Sequence, residues 1–333
     1  MLTARQNFLE TIRGGKPDRF VKQFEGLELL RGDPVNAFVR GTPYPGMEPM
    51  FDAWGAKLIW PAGDPGATTD PGYQALDDVS CWRDIIKVPD VIGSCYSKEL
   101  WEPYLEAAAK IDRNEKLLMM TAPVGIFERM HFLMGFEDTL CNFMLESEAM
   151  EDLAMAIGQH RLDCFRMMVE YVKPDVIIPH DDWGSKQSFF VQPELWREII
   201  KPACKLGYDY LHENGVIILH HGDSFMEPIV EDMIDLHIDV WQGVLPQNDI
   251  VKLQKQINGR MALMGGIDSS VVDRADSTEE EIRTEVRRVC ETYGKNGYFI
   301  PSITYGGPGT IFPHADEIIN DEIGRCSEEF FVK

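Results

Sequence analysis

The sequence predicts an α/β protein folded as one (β/α)8 TIM barrel over residues 1–333, with an irregular aromatic-rich N-terminal segment. Two observations carry that expectation. Short apolar runs alternate with helical stretches, which implies right-handed βαβ units and a parallel sheet. Eight such runs can be counted, the number that closes a barrel. A third observation removes the open doubly wound sheet: neither GxGxxG nor the P-loop pattern GxxxxGK occurs after an early strand.

Residues 3–15 place Phe8, Leu9 and Ile12 at helical spacing and stop at Gly14-Gly15, so a first helix is expected there. Phe20–Glu25 is the first predicted strand. Residues 31–100 are rich in glycine, proline and aromatic side chains and read as a loop-rich insertion or lid. The second predicted strand, Trp54–Trp60, lies inside it. Loops of that length in a compact enzyme usually wall a binding site. From about residue 97 the rhythm is regular. Leu117–Thr121, Asp175–His180, Val216–His221, Asp239–Val244, Met261–Gly265 and Tyr298–Ser302 are the third to eighth strands. Ser277-Thr278-Glu279-Glu280 is a capping box opening a helix that runs to about Tyr293.

Charge narrows the function. With 55 acidic against 32 basic residues the chain carries −23. Such a surface repels nucleic acid and anionic lipid, because phosphate recognition needs clustered lysine and arginine. It favours solubility, or a complementary basic protein partner. No run approaches the roughly 18 apolar residues of a membrane span. The opening residues lack the apolar core of a signal peptide, and the seven cysteines are scattered without a CxxC pair. A cytoplasmic protein with reduced thiols is therefore expected.

Catalytic groups of a barrel sit at the carboxyl ends of its strands. Val216–Ser224, VIILHHGDS, is the densest such end, and the strand before it runs into His180-Asp181-Asp182-Trp183. The candidate catalytic residues are His221, Asp223, Asp182 and His180. Candidate substrate contacts are His220, Trp183, Trp241, Gln242 and Tyr305. Imidazole with carboxylate suits Zn²⁺, with His221 and Asp223 as the expected ligands. Without metal the same groups suit general acid–base work. Glu128-Arg129 reads as a local helical ion pair, His314 as a surface residue and the sixteen methionines mostly as core filling.

An ordered set of segments resembles the uroporphyrinogen decarboxylase superfamily. It comprises Gly15-Lys16-Pro17-Asp18-Arg19, Met134-Gly135-Phe136-Glu137-Asp138, Asp181-Asp182-Trp183-Gly184, Pro193-Glu194-Leu195-Trp196, Ile200-Lys201-Pro202, His221-Gly222-Asp223 and Met264-Gly265-Gly266-Ile267-Asp268. The resemblance implies the (β/α)8 barrel and two competing chemistries. The haem-pathway decarboxylases carry an arginine-rich motif similar to RQAGRY, whereas Val21–Leu30 contains no arginine. The other branch is the corrinoid-dependent methyltransferases. Their thiol-methylating members bind zinc through a His-x-Cys pair and a later cysteine. Here Asp223 stands in the place of the first cysteine, and no cysteine falls near Ser302–Tyr305. A site without thiolates is better suited to polarising oxygen or nitrogen. The resemblance thus points to an O-demethylase-type methyltransferase. It would move methyl from a small methylated donor, a methoxylated aromatic or a methylated amine, to a corrinoid carried by a partner protein. The alternatives are a metal-free decarboxylase of a smaller acid and a non-catalytic binding barrel.

Overall fold

The computed structural model describes residues 1–64 and 66–331. Its strands, in chain order, are β1 (Leu27–Leu29), β2 (Met50–Phe51), β3 (Lys57–Ile59), β4 (Thr68–Thr69), β5 (Leu117–Thr121), β6 (Val176–Ile178), β7 (Ile217–His221), β8 (Val240–Val244), β9 (Ala262–Ile267) and β10 (Phe299–Ile303). Seven of them form one parallel sheet in the order β1-β5-β6-β7-β8-β9-β10. Helices follow the strands, among them Ile126–Met134 after β5, Pro193–Glu213 after β6 and Glu279–Tyr293 after β9. The last of these carries a capping box one residue later than the expected Ser277–Glu280, with Thr278 as cap and Glu281 as the reciprocal partner. No helix among the described residues is long and apolar enough to cross a membrane.

Of the eight expected barrel strands, the described residues show a ladder of seven and no closure. Among the described residues no ladder joins β10 to β1, and the curled, TIM-barrel-like sheet has seven strands. Phe20–Glu25 is not a strand, because Gln23 adopts a positive φ of 52° and turns the chain. The ladder resumes at Leu27. Gln23 instead accepts the Ile303 N–H at 3.1 Å through its side chain, so an amide caps part of the β10 edge where a strand would lie. Trp54–Trp60 is also lost to the barrel. Gly55 turns at φ 86°, and the Asp52 carboxylate accepts the N–H groups of Trp54 and Ala56 at 3.0 and 2.9 Å. The residues that follow form β3, in an antiparallel sheet with β2 and β4.

Residues 31–100 carry short elements of their own between loops. They hold that small sheet and the helices Pro34–Arg40, Trp82–Ile85 and Val91–Cys95. Trp54 and Trp82 are buried, as is Trp101 just beyond them. A buried ion pair from Asp52 to Arg129 ties the segment to helix Ile126–Met134.

Strand alternation sorts side chains between two cores. Leu117, Met119, Val176, Ile178, Ile217, Leu219, Val240 and Met264 fill the inside of the sheet. Leu118, Met120, Ile177, Ile218, Trp241 and Leu263 pack outward on the helices. Successive side chains on a strand point to opposite faces. Leu219 inward therefore sends His221 inward and His220 outward, and Val240 inward does the same for Gln242.

Candidate active site at the ends of β6 and β7

Asp181 organises the site without lining it. Its carboxylate is fully buried and accepts the N–H groups of Ile126, Phe127 and Glu128 at 2.9, 3.2 and 3.0 Å, and Trp183 Nε1–H at 2.9 Å. It thereby caps helix Ile126–Met134. Burial raises its carboxyl above the ordinary range, against the pull of Arg161 and of these donors. Gly125 makes the approach feasible, since a Cβ there would stand 2.2 Å from Asp181 Cγ. The cap brings Glu128, in the first turn of the helix, beside the residues that follow β6.

There His180 meets both acids. Its Nε2 lies 3.2 Å from Asp182 Oδ2 and its Nδ1 lies 3.6 Å from Glu128 Oε2. The rings of His180 and His221 are 4.5 Å apart at their centroids. His221 Nδ1 sits 2.6 Å from Gln242 Oε1, while Gln242 Nε2–H donates to the Tyr305 carbonyl at 2.6 Å. That second bond orients the amide, so His221 donates from Nδ1 and keeps its Nε2 lone pair. Gly306 lets the backbone lie against His221: a Cβ would be 3.0 Å from its Cγ. Asp223 joins through its main chain, the N–H donating to Asp182 Oδ1 at 3.0 Å.

The electrostatics separate these groups. Burial pushes Glu128 up to about 7; His180 opposes that rise, and Asp182 and Asp181 reinforce it. Burial, with repulsion from Asp182, likewise pushes Asp223 up to about 7. For His180 burial alone would favour the neutral ring, but Glu128, Asp182 and Asp181 together outweigh it and raise the group to about 10. Its ring is nevertheless 46% accessible, crowded by acids yet open to solvent. His221 is pushed down to about 4 by burial and by the neighbouring His180. Partial desolvation would raise Asp182, yet the hydrogen bond and charge of His180 hold it below the usual carboxylate value.

The cluster borders a recess of about 330 Å³. Phe127, Phe136 and Phe190 form its apolar wall, with Phe127 stacked on Phe190 at 5.4 Å and Phe136 edge-on to Phe190 at 4.9 Å. Glu128, Asp182 and Asp223 supply its acidic side, faced by one lysine, Lys186.

Of the expected catalytic residues, His180, Asp182 and His221 come together, each with one donor atom within 4.8 Å of the others. Asp223 lines the recess but is not in that set, so the acid that converges with His221 is Asp182. Three expected substrate contacts lie in the helix-facing core. His220 is fully buried, with Nδ1 2.8 Å from the Tyr208 hydroxyl and its ring stacked on Trp183 at 4.4 Å. Trp183 holds Asp181, and Trp241 donates to the Gly222 carbonyl at 2.9 Å. Gln242 positions His221, and Tyr305 contributes its carbonyl. Burial raises the half-buried Tyr305 phenol to about 12, helped by Asp273.

Glu128 was not among the expected site residues. Neighbouring helical positions point apart, so Arg129 turns to Asp52 while Glu128 turns to His180. Its place in the first turn of the helix following a barrel strand is the sequence signal that could have found it. The two neighbouring histidines are separable by experiment. His220→Ala is expected to lower the thermal midpoint while leaving kcat/KM nearly unchanged. A large loss of activity in a stably folded His220→Ala protein would contradict its placement in the core.

A TIM-barrel-like sheet with imidazoles and carboxylates gathered at its carboxyl ends has the architecture of a barrel enzyme. Residues 53–314 match the family described as uroporphyrinogen decarboxylase (URO-D), and the chain belongs to that family. No curated protein matches the chain. Among solved structures it is similar to a methyltransferase from Methanosarcina mazei, with 14% identity, a TM-score of 0.66 and coverage of 100% of both chains. At that identity the likeness concerns the fold.

Proposed function

We propose that the protein is a methyltransferase that moves a methyl group from a small methylated donor, a methoxylated aromatic or a methylated amine, to the corrinoid of a partner protein. The observation that carries the reading is the recess itself. One wall is aromatic and apolar, the facing side presents Glu128, Asp182 and Asp223, and Asp182 joins that side to the imidazoles of His180 and His221 at the ends of β6 and β7. Membership of the family and the likeness to a methyltransferase support it.

The arrangement suits a donor with two ends. Phe127, Phe136 and Phe190 pack the hydrocarbon part, and the polar cluster meets the heteroatom bearing the methyl group. On transfer the methyl carbon bonds to the acceptor, and the electrons of the broken carbon–heteroatom bond stay on the heteroatom. That atom then takes up a proton, giving an alcohol, a phenol or an amine. Groups placed to stabilise charge where it develops lower the barrier to that step. Gln242 and Glu128 hold the two imidazoles in place for it.

The test mixes the purified protein with a reduced corrinoid protein and a panel of methoxyaromatics and methylamines, following corrinoid methylation by absorbance. Methylation with one donor class supports the proposal. Carbon dioxide release from a small acid without corrinoid would replace it with a decarboxylase.

A further inference from the structure

We infer that His180, Asp182 and His221 form a binding site for a divalent metal of the zinc type, held by two imidazole nitrogens and one carboxylate oxygen and open toward the aromatic recess. The donor set is of the kind that catalytic zinc sites use when they keep a position free for substrate. Spacing agrees. Ligands at about 2.0–2.1 Å in a tetrahedral shell stand about 3.3 Å from one another, and His180 Nε2 and Asp182 Oδ2 are already 3.2 Å apart. All three donors lie within 4.8 Å, so His221 closes the set with a small movement.

Both rings are also oriented from behind. Metal-binding histidines almost always donate their other ring N–H to an acceptor, which fixes the tautomer. Gln242 Oε1 does this for His221 Nδ1, and Gln242 is itself held by the Tyr305 carbonyl. Glu128 Oε2 faces His180 Nδ1 at 3.6 Å and is buried with no other hydrogen-bond partner. A movement of His180 by a few tenths of an ångström would satisfy that oxygen while Nε2 serves the metal. Asp223 is excluded from the ligand set and left facing the recess. A metal bound there supplies a Lewis acid for the oxygen or nitrogen of a bound donor.

The inference stands on donor geometry and is tested separately from methyl transfer. The full chain, stripped with a chelator, is titrated with Zn²⁺ by calorimetry and with Co²⁺ by visible absorption, with metal content measured after dialysis. One Zn²⁺ per chain and a Co²⁺ spectrum from mixed nitrogen and oxygen ligands are expected. His221→Ala and Asp182→Asn should abolish both signals. Gln242→Leu, which leaves the three ligands intact, should weaken affinity about 10- to 100-fold. Asp223→Asn should still bind one equivalent. Circular dichroism confirms that each variant is folded. No stoichiometric metal in the folded wild type would overturn the site, as would loss of binding in Asp223→Asn with retention in Asp182→Asn. Methyl transfer by a folded protein that binds no stoichiometric metal in the titrations would sink the metal site alone, and metal binding without methyl transfer would sink the function alone.

Discussion

Replacing Asp182 with alanine is expected to lower kcat/KM for the proposed methyl transfer by about 10²- to 10⁴-fold, the range for removing a group that acts directly on the reacting centre. His221→Ala should fall in the same range. Asp182 is the one acid in contact with His180 Nε2, and its other oxygen accepts the Asp223 N–H. One substitution therefore removes both the partner of His180 and a side-chain link from the end of β6 to the end of β7. The cost to folding should be small by comparison, since the carboxylate retains 27% of its accessibility. Steady-state kinetics beside a urea unfolding curve separates the two effects. Wild-type turnover in a folded Asp182→Ala protein would remove this cluster from the chemistry.

The largest expected effect on stability lies at a distance from the chemistry. Arg129→Met should destabilise the protein by about 3–5 kcal/mol, because it leaves the Asp52 carboxylate buried without its counter-ion. The two side chains are 2% and 1% accessible, and Arg129 also lies over the rings of Trp54 and Phe132 at 5.5 and 5.7 Å. The double variant Asp52→Asn/Arg129→Met should recover part of the loss. Asparagine keeps the oxygen that accepts the Trp54 and Ala56 N–H groups but carries no charge. Urea midpoints of the wild type, both single variants and the double variant form the test. An Arg129→Met protein as stable as the wild type would mean that the pair holds nothing together. Because Glu128 is the neighbour of Arg129, the single variant should also weaken the hold on His180.

The later strands were legible in the sequence because both of their faces are buried. VIIL before His220 and LLMM before Thr121 are short apolar runs bounded by turn residues, and they became β7 and β5 almost at the expected bounds. Phe20–Glu25 and Trp54–Trp60 have similar composition but fail as barrel strands. Each is broken by a positive φ, at Gln23 and Gly55, and the turn at Gly55 is paired to the Asp52 side chain. Local composition carries no trace of where a turn will find its hydrogen-bond partner.

The candidate site divides in the same way. By itself the sequence determined that imidazoles and carboxylates arrive together at the ends of apolar strands, because strand length and apolar content are local properties. Only the tertiary structure decided which of two adjacent histidines faces inward, that Asp182 rather than Asp223 approaches His221, and that Glu128 stands behind His180. Those outcomes depend on the phase of each strand within the curled sheet and on Asp181 drawing helix Ile126–Met134 across from β5. A shift of one residue in pairing exchanges the faces of a strand, and pairing is settled by the neighbouring strands, not by the residues of the strand itself.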